Sequence, residues 1–232
     1  MSNYFTKSSN ILNIIFIILF YLIFFYYFHV DTLGYWESVS AYSILKPSSY
    51  PFVGNIQIAA DTTGGHGISY PFILISKYFA KIFTLSFSSI KYIFICYSVI
   101  FLILFYLTVK YFIDTLTAFF SSILIILNPY FLYMGSMLIS QQFTLTFIFL
   151  NIFLFLKFEK NESKLVFYLV SLSISLLLMN YILGRYIVLI TILYFFFRAS
   201  FKTNFKKNIF VKNIKRYLKI ILISFVLLII IF

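Results

Sequence analysis

Long apolar runs divide the chain, each bounded by short polar or turn-forming stretches. Crossing the hydrocarbon of a bilayer takes about 20 apolar residues, with a range of roughly 17–25. Residues 11–28 and 90–109 form two such runs. The run 116–128 is shorter and continues past Pro129 toward Ser140 if the helix breaks at the proline. Further runs cover 142–156, 165–183, 186–197 and 220–232. The pattern predicts an all-α polytopic membrane protein of about seven transmembrane helices. Residues 11–28 lack a small-residue cleavage site and read as a retained helix, not a signal peptide.

Between the first two runs lies a long segment, 29–89, with its own periodicity. Tyr35, Trp36, Val39, Tyr42 and Leu45 recur at helical spacing until Pro47. This predicts an interfacial helix of about three turns with its aromatic rings at head-group depth. Residues 47–68 are rich in turn formers, and 69–83 predict a second interfacial helix. Ser69 can cap that helix, Pro71 fits its first turn, and Lys77 and Lys81 share one face.

Composition supports this reading. Of 232 residues, 62% are apolar and 10% charged, whereas a soluble domain carries about 25% charge. A globular surface cannot be clothed from this set, which excludes a soluble enzyme, a disordered tail and a nucleic-acid binder. The net charge of +12 instead distributes by loop. With the amino terminus inside, segments 1–10, 110–115, 157–164 and 198–219 hold 13 of the 18 Lys and Arg residues. Lys46, Lys77, Lys81, Lys91 and Arg185 fall outside. Positive charge collects on cytoplasmic loops, so this orientation is selected. The basic run from Arg198 to Lys219 is expected to anchor topology on anionic lipid. Glu159 and Glu162, among Lys157, Lys160 and Lys164, are expected to form a solvated hairpin, and Asp114 is read in the same way.

Candidate chemistry concentrates in 29–89, which holds Asp31, Glu37, Asp61, His29 and His66. Long ordered loops are usually functional. Asp31 lies just past the first apolar run, where it either snorkels into water or serves as a general base at a lipid interface. Arg185 is the one basic residue between Lys164 and Arg198 and separates two apolar runs. Its planar fork suits phosphate, and the plainer reading is snorkelling to lipid head groups. Asp31, Asp61 and His66 can in principle meet a divalent cation, but their spacing is not diagnostic, and Asp61 reads more simply as an Asx-turn residue. No metal ligand set or required cofactor is assigned. The single Cys96 rules out an intrachain disulfide.

The sequence Asp31-Thr32-Leu33-Gly34-Tyr35-Trp36 after the first helix, and Gly65-His66-Gly67-Ile68-Ser69-Tyr70-Pro71 ahead of the second interfacial helix, resemble the GT-C glycosyltransferases. The similarity is to the group of dolichyl-phosphate-mannose–protein mannosyltransferases and aminoarabinose transferases. Asn128-Pro129 and Gly135-Ser136 match a later loop of that group, with Gln141 or Gln142 where an acid commonly stands, and Arg185 matches a basic position in the next outside turn. The resemblance implies transfer of a sugar, with inversion, from a polyprenyl-phosphate donor to a lipid, glycan or protein acceptor on the outer face of the cell membrane. Asp31 would be the base. Arg185, Lys77 and Lys81 would hold the donor phosphate, and His66, Tyr70 and Gln141 would line the cavity. Residues 1–232 form a single module under this reading, and its last run stops inside an apolar stretch, as expected of a fragment or a truncated member. The alternatives are a membrane transporter or lipid flippase, or an inactive remnant.

Overall fold

A computed structural model describes residues 2–28, 70–86, 89, 92–136, 140–160, 163–178, 182–201 and 207–231. Among these residues every regular element is an α-helix: α1 (Ser2–Phe28), α2 (Tyr70–Ile82), α3 (Tyr92–Phe112), α4 (Thr115–Leu127), α5 (Pro129–Ser136), α6 (Ser140–Lys160), α7 (Lys164–Leu178), α8 (Ile182–Phe201) and α9 (Lys207–Ile231). Two of them are long and apolar enough to cross a membrane, through Ser9–Tyr27 of α1 and Ile95–Phe112 of α3. Only 17% of the first window and 39% of the second are buried. Neither is the enclosed core helix of a soluble domain, which would hide most of its apolar side chains. The apolar helices α4 and α7 are shorter.

The chain divides into two compact units, Met1–Phe149 and Leu150–Phe232, with the boundary inside α6. In the first, Ile17, Tyr21 and Phe25 recur every fourth residue on α1 and bury one stripe against Phe101, Leu102 and Tyr106 of α3, Ala118 and Ile126 of α4, and Phe131 and Leu132 of α5. Aromatic rings interlock through this core: Tyr21 and Phe131 lie 5.9 Å apart, and Phe101 and Phe149 meet edge-on at 5.2 Å. Near the start of α1, Asn13 donates to the Tyr106 hydroxyl (3.2 Å), which donates to Asn10 (3.3 Å). Tyr106 is near the end of α3, so α1 and α3 run antiparallel.

Capping chemistry sets the joints of this unit. The Asp114 carboxylate accepts the Thr117 backbone N–H at 2.8 Å and its hydroxyl at 2.7 Å, starting α4. Asp114 is therefore a helix cap and not simply a solvated turn residue. Asn128 ends α4 and begins α5. Its side chain accepts the Tyr130 N–H (2.9 Å), and Pro129 occupies the first helical position, where a missing N–H costs nothing. This is the break expected at Pro129.

The second unit packs α7 against α9 and α8 against both. Small residues at Ser171 and Ser175 are fully buried and allow close approach. The Ser175 hydroxyl lies 2.7 Å from the Ser224 carbonyl of α9. Across the unit, Phe155 of α6 stacks on Phe195 of α8 at 5.0 Å, and Asn151 donates to Ser173 at 2.7 Å.

The basic stretch 198–219 is not one polar connection. Helix α8 runs on to Phe201 and α9 begins at Lys207, so most of its cations stand on helices. Arg198 lies 3.6 Å from Glu159, whose side chain is nearly covered. Arg216 places its guanidinium 3.9 Å from the centre of the Phe158 ring and donates to the Phe158 carbonyl (3.2 Å). Glu159 is thus drawn into a charged clasp around the end of α6, which corrects the solvated-hairpin expectation for this residue.

Candidate functional site

The expected site residues divide by what the structure describes. Asp31 and His66, with Asp61 and the first interfacial helix, lie outside the described residues. Tyr70 opens α2 and Gln141 stands in the first turn of α6. Lys77 and Lys81 are on α2, in the first unit, and Arg185 is on the first turn of α8, in the second.

Helix α2 forms where the second interfacial helix was expected, within one residue at each end. Its faces are sharply different. Ser76 and Ala80, four residues apart, are buried. Lys77 and Lys81 follow each by one position, about 100° around the helix. A further 100° on, Tyr78 and Ile82 are 62% and 74% exposed. The small residues let α2 lie close on α3, which turns the lysine edge to one flank and an apolar face away from the protein. An apolar face turned outward beside a cationic edge suits a helix lying in a lipid interface.

Beneath α2 is a layer of buried polar side chains that the sequence reading did not single out. The Ser76 and Tyr97 hydroxyls are 3.2 Å apart. Thr146 of α6 donates to the Tyr97 carbonyl (3.1 Å), and the Tyr97 ring meets Phe143 edge-on at 5.3 Å. Ser98 and Thr144 are buried close by in sequence, and Tyr21 of α1 approaches Ser98. All of these lie where α1 ends and α3 and α6 begin, the end of the unit from which 29–69 departs. The available signal was hydroxyl side chains recurring within apolar runs, since such groups need partners once buried.

The connection after α2 is strained. Thr84 has φ of 48°, a left-handed conformation unfavourable for a β-branched residue. The Thr84 N–H donates to the Lys81 carbonyl (3.4 Å) and the Leu85 N–H to the Ala80 carbonyl (2.9 Å). This is the Schellman pattern, usually closed by glycine. It fixes the last turn of α2, and so the Lys81 backbone, at the cost of local strain.

Arg185 has a definite local task. Its Nε donates to the carbonyl of Leu178, the last residue of α7, at 3.0 Å. A cation at a helix C-terminus also meets the negative end of the helix dipole. The bond orients the guanidinium plane, and Nε is only one of its donors: the two Nη groups retain a fork able to meet an anion. Arg185 is exposed. Among the described residues, no three His, Cys, Asp or Glu side chains converge as a metal site. No family model, curated protein or solved structure matches the chain.

Proposed function

We propose that this chain is a multi-pass membrane glycosyltransferase of GT-C-like architecture, with about seven spans, drawing its sugar from a polyprenyl-phosphate donor at the outer face. The observation that carries the reading is α2. It meets α3 through Ser76, with Ala80 buried on the same face, presents Lys77 and Lys81 along one edge, and borders the end of the unit from which the Asp31 segment leaves. The outward apolar surfaces of α1, α2 and α9 support residence in lipid.

In this mechanism Asp31 accepts the proton of the acceptor hydroxyl or amine as its oxygen or nitrogen bonds to the anomeric carbon. The bond from that carbon to the phosphate oxygen breaks on the opposite face, and the configuration inverts. Negative charge grows on the departing lipid phosphate. A cation beside that oxygen offsets the charge, which is where it lowers the barrier most: Lys77 and Lys81 are the candidates on the first unit, and Arg185 is the candidate on the second. His66, Tyr70 and Gln141 are proposed to line the cavity. A divalent cation is not required by these steps.

The transporter reading draws on the buried Asn151–Ser173 pair. Both groups are neutral, with the Asn151 amide nitrogen bonded to Ser173 and its buried Oδ1 left without a hydrogen-bond partner; a neutral pair offers no charge for an ion or head group to follow, so transfer is favoured. The experiment is transfer from a polyprenyl-phosphate sugar in liposomes. Asp31→Asn keeps the side-chain shape and removes the base, and a loss of about 10²–10⁴-fold is expected. Wild-type turnover in the Asn variant makes Asp31 structural, while lipid translocation without transfer moves the protein to the transporter class.

A further inference from the structure

The second unit carries a stripe that the transfer chemistry does not use. On α9, Asn213, Tyr217, Ile220 and Ser224 are buried. The opposite side is exposed along its length, and its character changes once. Lys212, Lys215 and Lys219, all exposed, recur at i, i+3 and i+7 and fall within a 60° arc. Leu222, Val226 and Ile229 continue that side of the helix and are 57%, 52% and 73% exposed.

We propose that this stripe is a binding site for an anionic glycerophospholipid, its phosphate held by Lys212, Lys215 and Lys219 and an acyl chain lying along Leu222, Val226 and Ile229. The dimensions agree. Lys212 to Lys219 covers about 10 Å of helix, and Lys219 to Ile229 about 15 Å, close to half of the roughly 30 Å hydrocarbon thickness. The charges agree as well. No Asp or Glu occurs anywhere from residue 163 to 232, and Glu159 is directed to Arg198. No carboxylate of α7, α8 or α9 can therefore neutralise the lysines. Lys219 is further placed by the Phe167 ring of α7, 5.8 Å from its Nζ. Arg198 and Arg216 turn to α6 and Glu159, so the stripe is set apart from these two arginines. This differs from a diffuse topology anchor, in which position along the helix is immaterial. The site rests on the membrane reading and not on sugar transfer.

The test is lipid retention by the full chain in native mass spectrometry, after extraction with equal phosphatidylglycerol and phosphatidylcholine. Each lysine near an anionic head group is worth about fivefold, so Lys212→Gln/Lys215→Gln/Lys219→Gln should lower the preference for phosphatidylglycerol by roughly a hundredfold. The triple Lys→Arg variant should keep it. Lys157→Gln/Lys160→Gln/Lys164→Gln removes the same charge from another connection and should change it by less than about fivefold. Equal loss in both Gln triples, or no preference in the wild type, overturns the site. Membrane residence is read separately, by retention of the chain on vesicles at high salt and alkaline pH, and release under those conditions overturns it. Absence of sugar transfer leaves the lipid result untouched.

Discussion

Replacing Ala80 with Leu should lift α2 from α3, and the effect can be ranked against a polar deletion one turn away. Ala80 is 5% exposed and shares the buried face of α2 with Ser76, which meets Tyr97 of α3. A leucine adds three carbons where there is no room for them, and overpacking of this kind costs about 1–3 kcal/mol. Ser76→Ala removes the 3.2 Å hydroxyl pair with Tyr97 and leaves the volume nearly unchanged. Hydrogen bonds between membrane helices average about 0.6 kcal/mol. At about 2–4 °C per kcal/mol for a chain of this length, Leu should lower the melting temperature by roughly 2–12 °C and Ala by about 1–2 °C. Tyr78→Ser, on the exposed face, is the control and should be nearly neutral. Cys96 provides the assay: it is the chain's one cysteine, half-buried, and adjoins Tyr97. A thiol-reactive dye that fluoresces on modification reports unfolding in detergent, and its rate below the melting transition reports local opening around the start of α3, where α2 docks through Ser76. Faster modification is expected for Ala80→Leu. The packing account is refuted if Ser76→Ala is as damaging as Ala80→Leu, or if Leu changes neither the melting temperature nor the Cys96 rate.

Arg185→Ala should lower sugar transfer more than Arg185→Lys, and both should lose about 1 kcal/mol of stability, because neither retains an Nε for the Leu178 carbonyl. Equal transfer in all three proteins removes Arg185 from the site. The Thr117 backbone N–H, with its hydroxyl second, holds the Asp114 carboxyl below the ordinary aspartate range. The contribution of this cap is accordingly full above the unfolded-state pKa, near 4, and is lost as pH falls through the lower folded value. Asp114→Asn should flatten that acid limb in unfolding curves, and an unchanged limb assigns it to other carboxylates. Thr84→Gly should raise stability by about 1 kcal/mol by relieving the left-handed conformation. A lower melting temperature would show that the threonine side chain, not only its backbone, closes α2.

Some of this was open to sequence reading for identifiable reasons. Helix α2 announced itself through Pro71 in its first turn and the 77/81 lysine spacing, and Asn128-Pro129 marked a break because proline cannot continue a helix. The start of α9 was missed because hydropathy reads 207–219 as a polar connection, whereas lysine and arginine are good helix formers. The polar layer under α2 was missed for a different reason. In helices that are apolar all round, periodicity does not say which side is buried, so nothing in 92–112 marks Tyr97 as the residue that meets Ser76 and Thr146. Arg185 was legible as an isolated cation, but its bond to Leu178 depends on how the chain turns between α7 and α8. Asp31 and His66 remain arguments from sequence, since they lie outside the described residues.

The serine on α7 has a consequence for how the chain is made. The Ser175 hydroxyl has one proton and two carbonyls in range, Ser171 of its own helix at 2.9 Å and Ser224 at 2.7 Å. Those two acceptors exist at different times during synthesis. Ser171 precedes the hydroxyl, whereas Ser224 is 49 residues downstream of Ser175, which at about 5–20 residues per second means a wait of roughly 2–10 s. Through that interval the hydroxyl can enter an apolar surrounding satisfied by its own helix, and α7 needs no chaperoning of an unpaired polar group. When α9 arrives, the same O–H can turn to donate to its backbone at Ser224. The nascent helix is thus tolerated alone, yet it carries the contact that later recruits its neighbour.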